Sequence, residues 1–439
     1  MHTHITTEEL YKHFLDADQS VCTDTRKLEK GSVFFALRGD NFNANEFAQK
    51  AIESGCRLAV VDDQKYLTMP GIVLVENVLK ALQRLANFHR RQFNIPFLAI
   101  TGSNGKTTHK ELINAVLAKK FSTLATEGNL NNHIGVPLTL LKVRPEHGFA
   151  IVEMGANHQG EIDELCKIAD PDFGLITNIG KAHLDGFGGI EGVKKGKSEL
   201  YRFLKAKGCK TFINGDDDLL YELAFENDKI TYGCKKLYDV IGKNCSNTET
   251  VSFKYTTRYG EKDWNKHPVI NTQITGTYNF INCLAAACVG NYFKVEDNLI
   301  KEALEEYVPA MNRSQLVKTN KNTILLDAYN ANPNSMKAAI ENFAAYRSEN
   351  KLLLLGDMFE LGTYSNEEHQ KLVTLLEENR FDKVILVGEE FYKLPQNNFI
   401  RFRTINECKE YLQKNNIAGS TILIKGSRGM KMEVLQEVL

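Results

Sequence analysis

The sequence predicts an α/β protein whose sheets are mostly parallel. Along most of the chain, short apolar runs with the length of strands alternate with segments in which apolar residues recur at helical spacing. Such alternation implies right-handed crossover connections between parallel strands. The chain has 439 residues, which is too long for one hydrophobic core, so we expect two or three domains.

Residues 1–92 are predicted to form a small α/β domain. Residues 78–92 have apolar side chains at helical spacing and end before Pro96, which predicts a helix and a domain boundary after it. The expected strands are apolar runs separated by turn-forming residues, at 33–37, 58–61 and 72–75.

The central region, residues 93–307, begins with a predicted phosphate-binding loop. A strand at 97–100 leads into TGSNGKTT, and a helical segment follows. This layout directs backbone N–H groups and the positive end of a helix toward an anion. The pattern is shorter than GxxxxGK[ST], whose first glycine would fall at Ile100, and an ordinary glycine turn is the alternative. The residues predicted to bind nucleotide are Gly102, Ser103, Asn104, Gly105, Lys106, Thr107 and Thr108.

Further strands and helices complete the central domain. Residues 235–276 are polar and partly alternating, which predicts antiparallel strands at an edge. In a parallel sheet the ligand lies at the carboxyl ends of the strands, and the polar clusters of this region follow such runs. The expected strands are 149–154, 174–177 and 211–213, and the expected helices are 161–169, 193–204 and 278–293.

Three polar residues of the central domain are candidates for metal or phosphate chemistry. Glu153 ends a strand, where a carboxylate can hold Mg²⁺, although a salt bridge is the alternative. His183 follows a third strand in a glycine-rich segment, and its alternative is a surface or packing role. The pattern around Lys197, GVKKGKSELY, by itself favours a solvent-exposed helical lysine.

Residues 308–439 repeat the alternation and predict a Rossmann-like C-terminal domain with strands at 323–328, 352–355, 384–387 and 421–424. Polar residues close the first of these strands and follow the last, and Arg313 lies upstream of the first. Arginine and lysine there are suited to stabilising a transferring phosphoryl group, and ordinary turn chemistry is the alternative. The candidates are Arg313, Asp327, Tyr329, Asn330, Asn332, Lys425, Ser427 and Arg428.

The composition is that of an ordinary soluble protein. Apolar residues make up 43% and charged residues 25%, and a net charge of −1 gives no general attraction to nucleic acid or membranes. Nine cysteines without a CxxC pair argue for reduced thiols and against a zinc site. Neither a signal peptide nor an apolar run of membrane-spanning length is evident. We therefore expect a soluble cytoplasmic protein.

An ordered series of stretches resembles the Mur ligases of peptidoglycan synthesis. They are TGSNGKTT, GNLNNHIGVPLTLL, EMGANHQGEI, AHLDGFG, GVKKGKSE, GTYNFINCLAAA, LLDAYNANPNSMKAA, LGDMFELG and IKGSRGMKME. The resemblance covers essentially the whole chain, since SVCTDTRKLEKGSVFFALRGDNFNANEFA is similar to the family's uridine-nucleotide domain. Within the family, GNLNNHIGVP, GANHQGEI and GDMFELG resemble the members that add D-alanyl-D-alanine to UDP-N-acetylmuramoyl-tripeptide.

The resemblance implies three domains: a UDP-sugar-binding domain at 1–92, an ATP-binding domain at 93–307 and a ligase domain at 308–439. It implies that ATP converts the tripeptide's terminal carboxylate to an acyl phosphate. The amine of D-alanyl-D-alanine then attacks, which yields the UDP-MurNAc-pentapeptide precursor for cell-wall biogenesis. ATP and two Mg²⁺ ions are the implied cofactors. The expected partners are these two small substrates, with no nucleic acid, and the expected state is a monomer.

The matching motifs also imply roles for individual residues. Lys106 would act on the phosphates, Thr107 and Glu153 would hold one Mg²⁺, and His183 would hold the second. Lys197 matches a lysine that is carbamylated in the family and so becomes a carboxylate-like metal ligand.

Other residues match binding positions of the family. Asn279 matches the residue that reads adenine, while Arg313 and Asp327 match contacts to phosphate or ribose. The implied substrate contacts are Asp24, Thr25 and Arg26 to the uridine nucleotide, Asn131 and Asn132 to the sugar or peptide, and Asn330, Asn332, Lys425, Ser427 and Arg428 near the dipeptide. The relatives have Pro-Gly-Arg where this chain has Met311, Asn312 and Arg313.

Three alternatives remain open at this point. A Mur ligase that adds a diamino acid is one, although its diaminopimelate form has a DNPR sequence that this chain lacks. Folylpolyglutamate synthase shares the shorter loop but not GNLNNHIGVP or GANHQGEI. A phosphate-loop nucleotide-binding switch belongs to a different class and would hydrolyse nucleotide without ligation. For the tripeptide's third residue, both lysine and diaminopimelate remain open.

Overall fold

The structure is a computed structural model that describes residues 4–246, 250–310, 312–379, 381–396 and 398–439. Met311 lies outside these residues. Across the described ranges no helix combines the length and apolarity needed to cross a membrane. The chain divides into two compact units, of which the first comprises Met1–Ile100, Phe121–Ala156 and Gly160–Gly174, and the second Thr101–Lys120, Asn157–Gln159 and Leu175–Leu439. The predicted boundaries near residues 92 and 307 remain predictions.

The N-terminal region contains a four-stranded parallel sheet with the strand order β1-β2-β5-β6. The predicted strands and the predicted helix α3 lie within two residues of their expected ends. Its helices and strands are α1 Thr7–Asp16, β1 Val21–Cys22, β2 Val33–Phe35, β3 Arg38–Gly39, β4 Phe42–Asn43, α2 Ala48–Glu53, β5 Leu58–Val61, β6 Ile72–Leu74 and α3 Val78–Arg90.

The predicted phosphate-binding loop lies in the middle of the chain, between a strand that ends at Thr101 and a helix that begins at Lys106. Its helices and strands are β7 Phe97–Thr101, α4 Lys106–Ala118, β8 Thr123–Ala125, α5 Gly135–Leu140, β9 Phe149–Glu153, α6 Glu161–Ala169, β10 Phe173–Ile176, α7 Leu184–Phe187, α8 Ile190–Lys197, α9 Glu199–Lys207, β11 Lys210–Asn214, α10 Asp218–Leu223, β12 Asp228–Gly233, β13 Val240–Asn244, β14 Thr250–Thr257, β15 Ile270–Thr275, α11 Phe280–Tyr292 and α12 Asp297–Glu306.

Strand pairing confirms the predicted mixture of parallel and antiparallel strands. In the first unit β7 pairs with β9 and β9 with β8, all in parallel. In the second unit β11, β12 and β13 are parallel, whereas β14 and β15 add antiparallel pairs. The polar segment predicted to form antiparallel edge strands therefore does so, and the α/β class is confirmed.

The single helix expected at 193–204 is wrong, because α8 ends at Lys197 and α9 begins at Glu199. Ser198 stands between them with φ −68° and ψ −6°. Its hydroxyl donates a hydrogen bond to the Lys195 carbonyl at 3.0 Å. A serine hydroxyl that competes in this way for backbone groups favours a helix end over a helix interior.

The C-terminal region contains a six-stranded sheet with the order β16-β17-β21-β18-β19-β20. All pairs are parallel except β16 with β17. Leu326 and Leu354 both pair with Ile424 of the central strand, and all three are buried. Its helices and strands are β16 Gln315–Lys318, β17 Thr323–Leu326, α13 Pro333–Ala345, β18 Lys351–Gly356, α14 Ser365–Asn379, β19 Lys383–Val387, α15 Glu389–Lys393, β20 Ile400–Phe402, α16 Ile405–Asn415 and β21 Thr421–Lys425.

Candidate active site

The phosphate-binding loop ends at Gly105, the residue before α4, which has a left-handed φ of 73°. Lys106 follows, and its ammonium donates to the carbonyls of Gly102 at 2.8 Å and Ser103 at 3.3 Å. Thr107 is buried and Thr108 half-buried in the first turn of the helix. The lysine side chain is therefore held across its own loop by two backbone carbonyls.

Residues 177–180, which the sequence analysis did not select, hold this loop in place through hydrogen bonds. The Thr177 hydroxyl donates to the Asn104 carbonyl at 2.6 Å, and the Asn178 side chain accepts from the Asn104 amide at 3.0 Å. The Ser103 hydroxyl donates to the Gly180 carbonyl at 3.0 Å. The sequence signal was the polar TNIG directly after a strand, at the sheet edge where ligands bind.

Gly102 lies against the same segment. A Cβ atom built on it would stand 1.9 Å from the Thr177 hydroxyl oxygen, and its φ of 143° is one that residues with side chains rarely adopt. Both observations require glycine at this position. The close approach brings the backbone of the loop within hydrogen-bonding reach of residues 177–180.

His183 lies just before α7 with a left-handed φ of 52°. Its Nδ1 atom is 2.5 Å from a carboxylate oxygen of Glu360, and its side chain is 23% exposed. The neighbouring His183 ring lowers the pKa of the Glu360 carboxyl. His183 is therefore neither a free surface residue nor an apolar packing residue.

The local sequence pattern predicted a solvent-exposed lysine at position 197. This prediction is wrong, because Lys197 is 1% exposed. Its ammonium lies 5.0 Å from the ring centroid of Phe187. The helix α8 reaches Phe187 because Gly192 and Gly196 have no side chains: a Cβ on Gly192 would stand 1.8 Å from the Phe187 carbonyl oxygen. Close helix packing thus places a lysine where amines are rarely found.

Asn279 is buried at the start of α11, and its amide is fully engaged. Its Nδ2 donates to the Thr275 carbonyl at 2.7 Å and to the Ser314 hydroxyl at 3.3 Å. Its Oδ1 accepts from Asn282 at 2.6 Å. The residue expected to read adenine therefore also fixes the segment that contains Arg313.

In the C-terminal region, the buried Lys425 forms an ion pair at 2.6 Å with Asp327, which is half-buried. The lysine ammonium also donates to the Asn330 carbonyl at 3.2 Å, and Asp327 accepts from the Ser314 amide at 3.2 Å. The carboxyl ends of β17 and β21 are thereby joined, as expected for neighbouring parallel strands.

Two arginines lie against the ring of Tyr329. The Arg313 guanidinium carbon is 3.4 Å from the ring centroid and that of Arg428 is 5.1 Å. The Asn330 side chain accepts a hydrogen bond from the Arg428 backbone amide at 3.3 Å. Stacking orients two guanidinium groups while leaving their N–H donors for anionic ligands.

Ser427 and Asn332 have defined local partners. Ser427 is buried, donates to the Ala331 carbonyl at 3.3 Å and accepts from the Phe359 amide at 2.9 Å. Asn332 caps α13, and its Nδ2 donates to Asn104 Oδ1 of the phosphate-binding loop at 2.6 Å. The predicted dipeptide contact Asn332 and the predicted nucleotide contact Asn104 thus touch directly.

The substrate candidates of the first unit form two groups. Asp24 and Arg26 are paired at 2.9 Å, and hydrogen bonds from Arg26 lower the Asp24 pKa to about 2. Thr25 between them is half-buried. Asn131 donates to Glu153 at 2.8 Å, and Glu153 is 2% exposed.

Asn132 has a local structural role. Its Oδ1 accepts from the backbone amides of Ile134 at 3.1 Å and Gly135 at 2.9 Å, at the start of α5. This side chain therefore fixes a helix end, and its contact to substrate stays a prediction.

The donor set fits Mg²⁺ better than a zinc-type ion. Within the described residues no cluster of three His, Cys, Asp or Glu side chains is close enough to hold a metal. Mg²⁺ does not need such a cluster, since it keeps several waters and takes one or two carboxylates plus substrate phosphates. Considered individually, the Thr107 hydroxyl and the Glu153 carboxylate are oxygen donors of the kind that this mode uses.

Family models match most of the chain. The model described as Mur ligase middle domain matches residues 100–290, and the model described as Mur ligase, glutamate ligase domain matches residues 312–428. The chain belongs to the Mur ligase family.

Relatives and solved structures extend this result to the full length. The UDP-N-acetylmuramoyl-tripeptide–D-alanyl-D-alanine ligase of Bacillus subtilis (strain 168) is 35% identical over 94% of this chain and 91% of the relative. A crystal structure of MurF from Acinetobacter baumannii has a TM-score of 0.85 and 31% identity, covering 97% of both chains. MurF from Thermotoga maritima in complex with ADP has a TM-score of 0.85 and 25% identity, covering 96% of this chain and 97% of that one.

Proposed function

We propose that this Mur ligase uses ATP to join D-alanyl-D-alanine to UDP-N-acetylmuramoyl-tripeptide, forming the pentapeptide precursor of peptidoglycan in the cytoplasm. The observation that supports it most strongly is full-length similarity to ligases of that name. The phosphate-binding loop and the cationic groups of the C-terminal region agree with it. The relatives' names favour this reaction over addition of a diamino acid and over a nucleotide-binding switch.

The chemistry begins with a carboxylate, which is a poor electrophile until one oxygen becomes a phosphate leaving group. The tripeptide carboxylate attacks the γ-phosphorus of ATP, the bond to the bridging oxygen breaks, and ADP leaves. The dipeptide amine then attacks the acyl carbon, loses a proton and expels phosphate. The Lys106 ammonium offsets the repulsion between the two anions of the first step.

Thr107, Glu153, His183 and a carbamylated Lys197 would hold two Mg²⁺ ions. Bound Mg²⁺ supplies positive charge to the transferring phosphoryl group. Carbamylation joins a neutral lysine amine to CO₂ with release of a proton, and burial of an amine favours its neutral form. The burial of Lys197 supports this assignment.

The remaining residues have proposed binding roles. Arg313, Asp327 and Asn279 contact ATP, and the uridine nucleotide binds at Asp24, Thr25 and Arg26. The sugar and peptide contact Asn131 and Asn132. The dipeptide lies near Asn330, Asn332, Lys425, Ser427 and Arg428, and the proposed active form is a monomer.

ADP release measured with and without D-alanyl-D-alanine, across UDP-muramoyl peptides ending in lysine or diaminopimelate, tests the proposal. A ligase releases ADP in quantity only when both substrates are present, whereas a nucleotide switch releases phosphate without an amine. Lys106→Ala should lower the rate at least 100-fold, since one oriented cation is worth about 3 kcal/mol in such a site. Lys120→Ala, two residues after the end of α4, is the matched control. A near-normal rate in Lys106→Ala contradicts the proposed loop.

A further inference from the structure

The first turn of α13 contacts the segment that holds the phosphate-binding loop. Asn334 is the second residue of this helix, which begins at Pro333. Its Oδ1 accepts a hydrogen bond from the backbone amide of Lys181 at 2.8 Å. The two residues are 153 positions apart in the sequence, so only the folded chain brings them together. The proposed reaction assigns Asn334 no contact with a substrate or a metal.

Gly180, the residue before Lys181, leaves room for the same side chain. A Cβ atom built on Gly180 would stand 3.1 Å from Cγ, 3.2 Å from Oδ1 and 3.3 Å from Nδ2 of Asn334, and these are its three nearest neighbours. Gly180 is buried and does not have a left-handed φ. Its backbone conformation is therefore open to alanine, and the group that a side chain would meet there is the Asn334 amide.

Gly180 is in turn hydrogen-bonded twice to a side chain of the phosphate-binding loop. Its amide donates to the Ser103 hydroxyl oxygen at 2.9 Å, and that hydroxyl donates to the Gly180 carbonyl at 3.0 Å. Ser103 is buried, at 7% exposure. A buried hydroxyl that both donates and accepts has little freedom to move, so the position of Gly180 sets the position of Ser103.

A second residue at the start of α13 contacts the next residue of the loop. The Nδ2 atom of Asn332 donates to Asn104 Oδ1 at 2.6 Å, while its Oδ1 caps the helix by accepting from the Ser335 amide at 3.0 Å. Two successive loop residues are therefore connected to the start of α13. The connection is direct for Asn104 and passes through Gly180 for Ser103.

We infer that Asn334 is a positioning residue for nucleotide binding, which acts on Ser103 through the backbone of Gly180 and Lys181. The inference rests on the proposed function, in which the loop binds ATP. It adds that a side chain of α13 sets the direction of loop groups that would face the phosphates. Such groups bind an anion well only when they are held in the productive geometry. By thermodynamic reciprocity, bound nucleotide should strengthen the contact between Asn334 and Lys181.

The experiment measures binding of ADP with Mg²⁺ to the full chain by isothermal titration calorimetry, so that no turnover is needed. Asn334→Ala should weaken ADP binding about 3- to 10-fold, as expected for one lost hydrogen bond. In the ligation assay the KM for ATP should rise by a similar factor, whereas the KM for the UDP-muramoyl peptide should stay unchanged. The urea midpoint should also stay unchanged, because Asn334 is exposed.

Lys337→Ala is the matched control on the same helix. Lys337 is exposed and pairs with Glu341 at 3.8 Å. Removing its side chain leaves the contact between Asn334 and Lys181 intact, so this variant should bind ADP as the unaltered protein does.

Gly180→Ala tests the connection independently. Its methyl group would meet the Asn334 amide, so this variant alone should also weaken ADP binding. In the Asn334→Ala background the space is open, and the second substitution should add no further loss. Normal ADP binding by Gly180→Ala, or losses that add in the double variant, would show that the two residues do not act together and would overturn the inference.

Hydrogen exchange of the Lys181 amide measures the contact itself. Exchange should be faster in Asn334→Ala than in the unaltered protein, and bound ADP should slow it only where Asn334 is present. An exchange rate that does not depend on Asn334 would contradict the inference, as would unchanged ADP affinity in Asn334→Ala or an equal loss in Lys337→Ala.

Lys106→Ala separates the inference from the proposed function. If Lys106→Ala loses ADP affinity and Asn334→Ala does not, only the role of Asn334 fails. If Lys106→Ala also binds ADP normally, the proposed phosphate-binding loop fails.

Discussion

At Lys197, burial reverses what the local sequence predicts. Three lysines in eight residues of α8 suggest a solvated face, yet Lys197 is 1% exposed while Lys195 is exposed. The signal that could have shown this is the spacing of Gly192 and Gly196, four residues apart on one helical face. Small residues at that spacing allow close packing, and Lys197, adjacent to Gly196, is buried in the same contact region.

Lys197→Ala should be inactive and partly restored by short carboxylates such as acetate or formate. The proposed carbamate is a carboxylate-like ligand, and a small anion is able to occupy the space left by the truncated side chain. The measurement is ADP release at increasing carboxylate concentration, with Lys195→Ala as the exposed control. Full activity without added carboxylate would contradict the carbamate role.

Asn312 stands where the resemblance to the Mur ligases implies a glycine. Its φ is left-handed, at 56°. Asparagine tolerates the left-handed region better than most residues with side chains, because its short polar group can bond locally. The turn that precedes Arg313 is thus compatible with the substitution.

At the scale of elements, strands buried along most of their length were predictable and short peripheral strands were not. The strand β5 and the helix α6 have the bounds that the pattern predicts, since continuous apolar runs and a clear helical stripe mark them. The strands β16 and β20 have no buried residues, so their sequences contain no continuous apolar run that would indicate a strand. Pairing with a neighbour, rather than local composition, forms such strands.

Gly192→Ala should displace α8 and lower activity. The added Cβ would stand 1.8 Å from a backbone oxygen, so the helix must move, at a cost of about 1–3 kcal/mol in stability. Lys197 at the end of α8 moves with it. Urea unfolding and ADP release measure the two effects, and Glu191→Ala on the exposed side of the same helix is the control. Equal activity in both variants would argue against the packing role of Gly192.

At the scale of the whole molecule, acid should destabilise both units through buried histidines. Burial lowers the pKa of His89 in the first unit and of His109 in the second from 6.5 to about 4. Between pH 6.5 and pH 4 the unfolded chain binds more protons than the folded chain. The free energy of unfolding therefore falls as the pH drops from about 6.5 to 4, and these histidines do not change it above pH 6.5. For His109 the loss at pH 5 is about 2 kcal/mol.

The test compares urea midpoints at pH 8 and pH 5 for the unaltered protein and His109→Gln. Glutamine stays neutral and can still donate to the Gly105 carbonyl, which now accepts from His109 Nδ1 at 2.9 Å. The variant should lose less stability on acidification. An identical pH dependence would show that His109 is already protonated, or exposed, in the folded chain.

Candidate site residues could be selected from the sequence where the signal is local. The predicted phosphate-binding loop and His183 follow strands and Glu153 ends one, so the rule of strand ends selects all three as candidates. The partners of these residues were not predictable. Lys425 and Asp327 are 98 residues apart, and Asn104 and Asn332 are 228 apart, so only the folded chain pairs them. Glu360 was missed for the same reason.

The hydrogen bond between Asn104 and Asn332 has a consequence for inhibitor design. It joins the nucleotide loop to the first residue before α13 at 2.6 Å, and an amide pair of this kind contributes only about 1 kcal/mol net. A small molecule that offers a hydrogen-bond donor to one amide and an acceptor to the other would replace this single weak hydrogen bond with two hydrogen bonds. The target of such a compound would be specified by these two side chains.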